Sequence, residues 1–84
     1  MIYTVSIFRS AQKALSSLPP SVQDRIVAAI RRLASNPRPL GVKKLTGREA
    51  WRIRVGDYRV IYEIDDTDFT ILVAELGHRR DIYR

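Results

Sequence analysis

Apolar and polar residues alternate along four stretches of this chain, which is the period expected of strands buried on one side only. β-Branched and aromatic residues are frequent in each stretch, and turn-forming residues flank them. The predicted strands are Ile2–Phe8, Trp51–Val55, Tyr58–Ile64 and Phe69–Glu75. The residues after Glu75 form a short polar tail in this prediction.

After the first strand, apolar residues recur every three or four positions, as in amphipathic helices. A first helix is predicted over Arg9–Leu18 with Ser10 as its N-cap, and the Pro19-Pro20 pair ends it because neither proline donates a backbone hydrogen bond. A second helix of about 14 residues follows Ser21, which begins a pattern similar to a capping box. That helix ends before Asn36-Pro37.

The order of elements predicts an α+β fold, β-α-α-β-β-β, in a single domain over residues 1–84. Two helices joined by prolines form a helical hairpin that packs on one face of a mainly antiparallel four-stranded sheet. The segment from Lys43 to Gly47 is predicted as a basic edge segment ending in a turn. The pattern alone leaves open where the first strand lies in the sheet.

Charge is unevenly distributed, with a net charge of +6. Residues 1–60 hold 12 basic and 3 acidic residues, whereas residues 61–84 hold 3 basic and 6 acidic residues. A basic surface favours polyanions such as nucleic acid, ribosomes, anionic membranes or an acidic protein. The absence of cysteine excludes disulfides and cysteine zinc sites, and the single histidine excludes a two-histidine acid–base pair. Without a signal sequence or an apolar membrane span, a cytoplasmic protein with no membrane partner is expected.

The Gly56-Asp57 pair predicts a two-residue hairpin turn, which fixes the register of the flanking strands. Arg54 then lies directly opposite Arg59, and Arg52 shares their side of the sheet; we call these three residues the arginine face. Like charges opposed across strands destabilise a sheet, within a usual range of roughly 0.2–1 kcal/mol per pair. A phosphate bound between the two forks removes that conflict. The alternative interpretation is a solvated strand face.

The last eight residues, GHRRDIYR at 77–84, combine basic and aromatic side chains. This combination is used to hold phosphates and stack bases. The alternative interpretation is a frayed, charged terminus.

Three blocks together resemble the RelE family of type II toxin–antitoxin toxins: KKLTG at 43–47, WRIRVGDYRVIYEI at 51–64 and GHRRDIYR at 77–84. The resemblance extends over essentially the whole chain. It implies a metal-independent and cofactor-free endoribonuclease that cuts messenger RNA on the ribosome, with the 2′-hydroxyl attacking the adjacent phosphate. It assigns the reaction to five matching residues, Arg52, Arg54, Arg59, Arg79 and Tyr83. Four neighbouring residues are predicted to bind the RNA: Lys43, Lys44, His78 and Arg80.

The chemistry needs a base, charge stabilisation at the phosphorus and a proton for the leaving 5′-oxygen. Arginine stays protonated and therefore suits fixed stabilisation. Tyr83 is a candidate either for acid–base work or for stacking on a base. Histidine is the side chain type suited to proton transfer at neutral pH, so His78 is a candidate for proton transfer, for RNA contact or for packing. Family members often carry lysine where this chain has Arg52 and Arg54, so the general base stays unassigned.

The resemblance also implies partners, namely the ribosome, messenger RNA and a cognate RelB-like antitoxin that forms a hetero-oligomer with the toxin. A disordered acidic segment folding on a basic surface is physically reasonable for such an antitoxin. Two other functions remain open at this point. One is a ParE-like inhibitor of DNA gyrase, and the other is a non-catalytic module that binds RNA or a protein.

Overall fold

A computed structural model describes residues 2–78 and 80 of the chain. Within these residues it contains two helices and five strands, in the order β-α-α-β-β-β-β. The elements are β1 (Thr4–Ile7), α1 (Arg9–Ser16), α2 (Pro20–Leu33), β2 (Lys43–Lys44), β3 (Trp51–Val55), β4 (Tyr58–Asp65) and β5 (Thr70–His78). The α+β class and the helical hairpin are as predicted.

The strands form one sheet in the order β1-β5-β4-β3-β2, in which only β1 and β5 run parallel. The predicted count of four strands was wrong by one. The extra strand is β2, whose Lys43 and Lys44 pair with Arg52 and Trp51. Two residues are too few to show an alternating pattern, so the period of the sequence did not reveal this strand.

The two helices begin two residues earlier than their predicted caps require. Phe8 and Pro19 occupy the N-cap positions, and neither makes a side-chain cap hydrogen bond. Ser10 and Ser21 are therefore not N-caps. Pro20 explains the second difference, because its fixed φ suits the first helical turn, where no N–H is needed. Neither described helix has the length and apolar character required to cross a bilayer.

The hydrophobic core lies between the helical hairpin and one side of the sheet. Its fully buried side chains include Ile26 and Leu33 from α2 and Val60 and Tyr62 from β4. Six alternating residues of β3 and β4 face the helices. They lie either within the core or packed against it: Trp51, Ile53, Val55, Tyr58, Val60 and Tyr62.

Strand β5 is longer than predicted and contains a β-bulge. Ile61 of β4 pairs with Glu75, but the next residue, Tyr62, pairs with Val73, so Ala74 is the extra residue. The bulge shifts the alternation of β5, which places Val73 and Leu76 in the core on either side of it. The strand therefore continues to His78, where the sequence predicted a polar tail after Glu75.

Candidate active site

The β3–β4 hairpin has the predicted register throughout. Val55 pairs with Tyr58 across a two-residue turn, and Arg54 pairs with Arg59. Gly56 has φ +61°, the value required at the first position of a type II′ turn, whereas Asp57 does not have a positive φ. Paired residues in such a ladder have Cα atoms about 4.5–5.5 Å apart, so the two arginine side chains leave the sheet close together.

The arginine face lies on the side of the sheet away from the helices. Arg52 and Arg54 are two residues apart on β3, and Arg59 lies opposite Arg54, so all three share that side. β2 adds a fourth cation, because Lys43 pairs directly with Arg52. The structure therefore brings together four of the residues that the sequence singled out.

Burial separates the arginine face from an ordinary solvated strand surface. Arg52 is 7% exposed and Arg59 is 8% exposed, while Arg54 is exposed to solvent. A strand face that serves only solubility keeps its guanidinium groups in water, since burial of a charge is costly. The solvated-surface interpretation does not fit Arg52 and Arg59.

Strand β5 completes this side of the sheet with a glycine and a carboxylate. Gly77 pairs with Arg59 and presents no side chain. Glu75 pairs with Ile61, and its Oε2 accepts a hydrogen bond of 2.9 Å from Nη1 of Arg48. The sequence did not identify Arg48 or Glu75, because their pairing depends on the bulge in β5 and on a loop that crosses the sheet.

Two predicted RNA-binding residues, Lys44 and His78, lie on the other side of the sheet from the arginine face. Lys44 packs near the Trp51 ring, with 5.8 Å between Nζ and the ring centroid, on the opposite side from Lys43. His78 contacts Tyr58 edge to face with ring centroids 5.5 Å apart, which supports its packing role. Arg80 is exposed beyond the end of β5, and its N–H donates to Nδ1 of His78 at 3.3 Å.

Two predicted catalytic residues, Arg79 and Tyr83, lie outside the described residues, so their roles stay predictions. Within residues 2–78 and 80, no group of three histidine, cysteine or acidic side chains is placed to hold a metal ion.

Arg38 fixes the loop that leads into β2. Its guanidinium donates to both carboxylate oxygens of Asp66, at 2.9 and 3.4 Å, and lies 4.9 Å from the centroid of the Trp51 ring. The Tyr3 hydroxyl donates to the same carboxylate at 2.6 Å. The hydrogen bonds from Arg38 and Tyr3 lower the pKa of Asp66 below its ordinary value of 3.8.

We expect the stability contributed by Asp66 to disappear in acid. A lowered pKa in the folded state means that ionised Asp66 stabilises the fold above its ordinary value of 3.8. That contribution decreases as the pH falls below this value and through the pKa of the folded state. The check is the difference in unfolding free energy between the wild type and Asp66→Asn, measured by urea denaturation from about pH 2 to pH 7.

The matched control is Asp68→Asn, which changes an exposed carboxylate in the same turn. Its difference from the wild type should show no comparable decrease in acid. A wild-type advantage over Asp66→Asn that stays constant down to about pH 2 would contradict the assignment.

Comparison with known proteins identifies the family. A family model described as "ParE toxin of type II toxin-antitoxin system, parDE" matches residues 5–83. Toxin RelG of Mycobacterium tuberculosis is 39% identical over 90 residues, covering 100% of this chain and 99% of RelG.

Solved structures agree with this relationship. A chain of the archaeal RelE–RelB complex from Pyrococcus horikoshii superposes with a TM-score of 0.84 at 36% identity, covering 94% of this chain and 97% of that one. A chain of the RelBE2 toxin–antitoxin complex of M. tuberculosis gives 0.82 at 30% identity, covering 94% and 100%. From the full-length family match and these relatives, the chain belongs to the RelE family within the RelE/ParE superfamily, the toxins of type II toxin–antitoxin systems.

Proposed function

We propose that this toxin is a ribosome-dependent endoribonuclease that cuts messenger RNA without a metal ion. The observation that carries the proposal is the pairing of Arg54 with Arg59 beside a buried Arg52. A sheet selected only for stability has little reason to place three arginines on one side and bury two of them. A phosphodiester at this position receives several fixed, charged donors.

The arrangement suits cleavage by internal transesterification. The 2′-hydroxyl attacks the adjacent phosphorus and the bond to the 5′-oxygen breaks, which leaves a 2′,3′-cyclic phosphate and a free 5′-hydroxyl. Arg54 and Arg59 stabilise the extra negative charge on the phosphorane, because arginine donors are preorganised for planar, bidentate contact with phosphate. Arg52 and Lys43 hold the neighbouring backbone.

Proton transfer in this proposal rests on residues near the end of the chain. Arg79 adds charge stabilisation, and Tyr83 exchanges a proton with the reacting oxygens or stacks on a base. Tyrosine normally ionises near pH ~10, and nearby positive charge favours the anionic form of a tyrosine. His78 packs against Tyr58 and is therefore assigned no proton-transfer role here.

The proposed partners are the ribosome, messenger RNA and a RelB-like antitoxin. The antitoxin is supported by the related RelE–RelB complex of P. horikoshii and the RelBE2 complex of M. tuberculosis. An acidic antitoxin segment complements a surface whose first 60 residues hold 12 basic and 3 acidic side chains.

Inhibition of DNA gyrase is the second candidate, because the matching family model is named for ParE. However, RelG at 39% identity and the archaeal RelE at 36% identity carry RelE-type names. The arginine face also has no evident use in an inhibitor that performs no phosphate chemistry. Cleavage of messenger RNA therefore remains the first candidate.

The test is translation of a defined message in a cell-free extract, with the messenger RNA ends mapped by primer extension. We expect the wild type to produce new 5′ ends within translated codons and none when initiation is blocked. An Arg79→Ala/Tyr83→Phe double variant should fold but should no longer produce these 5′ ends. Supercoiling by purified DNA gyrase is assayed in parallel.

An intact message at protein concentrations that stop translation would exclude the nuclease function. Inhibition of gyrase supercoiling together with an intact message would favour the second candidate. Cleavage that is unchanged in the double variant would keep the nuclease function but remove Arg79 and Tyr83 from the site.

A further inference from the structure

A groove follows the outer edge of β3, between this edge and helix α2, and it adjoins the arginine face. Strand β2 pairs only with Trp51 and Arg52, so among the described residues no strand lies beside the rest of β3 on its outer edge. Helix α2 lies along this edge. Two adjoining cavities of about 750 and 360 Å³ open there and share Ala29, Arg32 and Arg54. We call this the β3-edge groove.

The β3-edge groove is lined by cations. Arg25, Arg32 and Arg54 line its narrower part, and Arg32, Arg52 and Arg54 line its wider part. No aspartate or glutamate is among the described residues that line either part. The carboxylates instead collect at the far end of β4, where four of them line a separate cavity: Glu49, Glu63, Asp65 and Asp66. The chain thus separates a positive groove from a negative end.

The arginines of α2 are arranged in series along the groove. Arg25 and Arg32 are seven residues apart, which places them on one helix face and about 10.5 Å apart along the axis. The guanidinium of Arg25 reaches the backbone of Gly56 in the β3–β4 turn, where a Cβ would stand 3.2 Å from Nη2. A ligand that engages both positions needs several anionic groups in a row.

We propose that the β3-edge groove binds the phosphate backbone of the RNA strand that flanks the cleaved step. This inference rests on the proposed function and extends it to a second contact region. Arg54 belongs both to the arginine face and to the groove, so one strand passes from the reacting phosphate to Arg25 and Arg32 without a break. Each nucleotide supplies a phosphate, which matches cations placed in series.

An acidic peptide is the competing occupant of such a groove. The narrower part favours RNA, because three of its seven lining residues are arginines, whose planar forks match phosphate. Continuity with the arginine face also favours a strand that already has its reacting phosphate there. The peptide is therefore treated as an outcome of the test.

The experiment measures RNA binding at several salt concentrations by fluorescence anisotropy. The probes are a 2′-O-methyl trinucleotide, which spans only the arginine face, and a 2′-O-methyl 12-mer, which also reaches the groove; neither can be cleaved. The variant is Arg25→Gln/Arg32→Gln. The matched control, Lys13→Gln/Arg31→Gln, removes the same charge from exposed positions on the same two-helix layer but outside the groove.

We expect the groove variant to bind the 12-mer about five- to tenfold more weakly at low salt, with its salt slope reduced by about 1.4 for two lost contacts. Binding of the trinucleotide should not change, and the control should keep the wild-type slope. Equal slopes for variant and control would overturn the inference, as would an equal loss for both probes. Weaker binding of an acidic antitoxin peptide with unchanged RNA binding would also overturn it.

The result is independent of the nuclease assay. If the wild type leaves messages intact but the slopes differ as expected, the groove remains an RNA site and the nuclease function fails. If the wild type cuts messages but the slopes agree, only the groove assignment fails.

Discussion

Replacing Arg59 with glutamine should lower messenger RNA cleavage by about 10²–10³-fold, the usual loss when one preorganised donor to a developing oxyanion is removed. Arg59 is 8% exposed and lies opposite Arg54, where the proposed reaction would form the phosphorane. Glutamine keeps a donor of similar polarity but removes the charge and the bidentate geometry. The measurement is the rate at which new 5′ ends appear in the cell-free extract.

Two further variants separate the reasons for this loss. Arg59→Lys restores the charge without the fork, so we expect partial recovery of cleavage. Arg31→Gln removes an exposed arginine of α2 and should leave the rate unchanged. Circular dichroism and the thermal midpoint of each variant are recorded to show that the fold is kept. Cleavage by Arg59→Gln within about threefold of the wild type would remove Arg59 from the site, since a donor to the oxyanion contributes far more.

The arginine face was predictable from sequence because a short turn fixes a long register. Gly56-Asp57 joins its strands with two residues, and from that point the alternation of β3 and β4 places every side chain on a known side. The pairing of Arg54 with Arg59 followed from this geometry without knowledge of the tertiary fold. Local information was sufficient because the two strands are adjacent in the chain.

Features outside the two-residue hairpin were not predictable. Lys43 and Lys44 look equivalent in sequence, but β2 turns Lys43 toward Arg52 and Lys44 toward Trp51. The extra residue Ala74 changes which residues of β5 lie on the same side of the sheet as the arginines. No local pattern in the sequence marks this residue. One position depends on a strand of only two residues and the other on a bulge, and an alternating pattern reveals neither.

The residues at which the helices begin show a second limit of prediction from sequence. Serine was chosen as the N-cap in both helices because its hydroxyl often accepts a backbone N–H. The structure uses Phe8 and Pro19 instead, and glutamines supply side-chain bonds nearby, such as Gln12 Nε2 to the Ile7 carbonyl at 2.8 Å. Propensity is thus a weaker guide than the positions where the chain leaves the sheet or meets a proline.

Replacing Tyr62 with alanine should remove about 3–5 kcal/mol from the free energy of unfolding, as for other buried aromatic residues. Tyr62 is fully buried at the centre of the core, and burial raises its pKa to about 12, so its hydroxyl stays protonated. That hydroxyl donates to the Pro37 carbonyl at 2.6 Å and ties the loop before β2 to the sheet. Domains are stable by only about 5–15 kcal/mol, so the loss is large.

Tyr62→Phe separates the hydrogen bond from the packing. It keeps the ring but leaves the Pro37 carbonyl without its donor, and we expect a loss of about 1–2 kcal/mol in urea denaturation. Because Tyr62 lies on the helix side of the sheet, this variant should cut messages at the wild-type rate when folded. Arg59→Gln should behave in the opposite way, with stability kept and cleavage lost. If Tyr62→Phe slowed cleavage as strongly as Arg59→Gln, the two sides of the sheet would not be functionally separate, and the arginine face would not be the site.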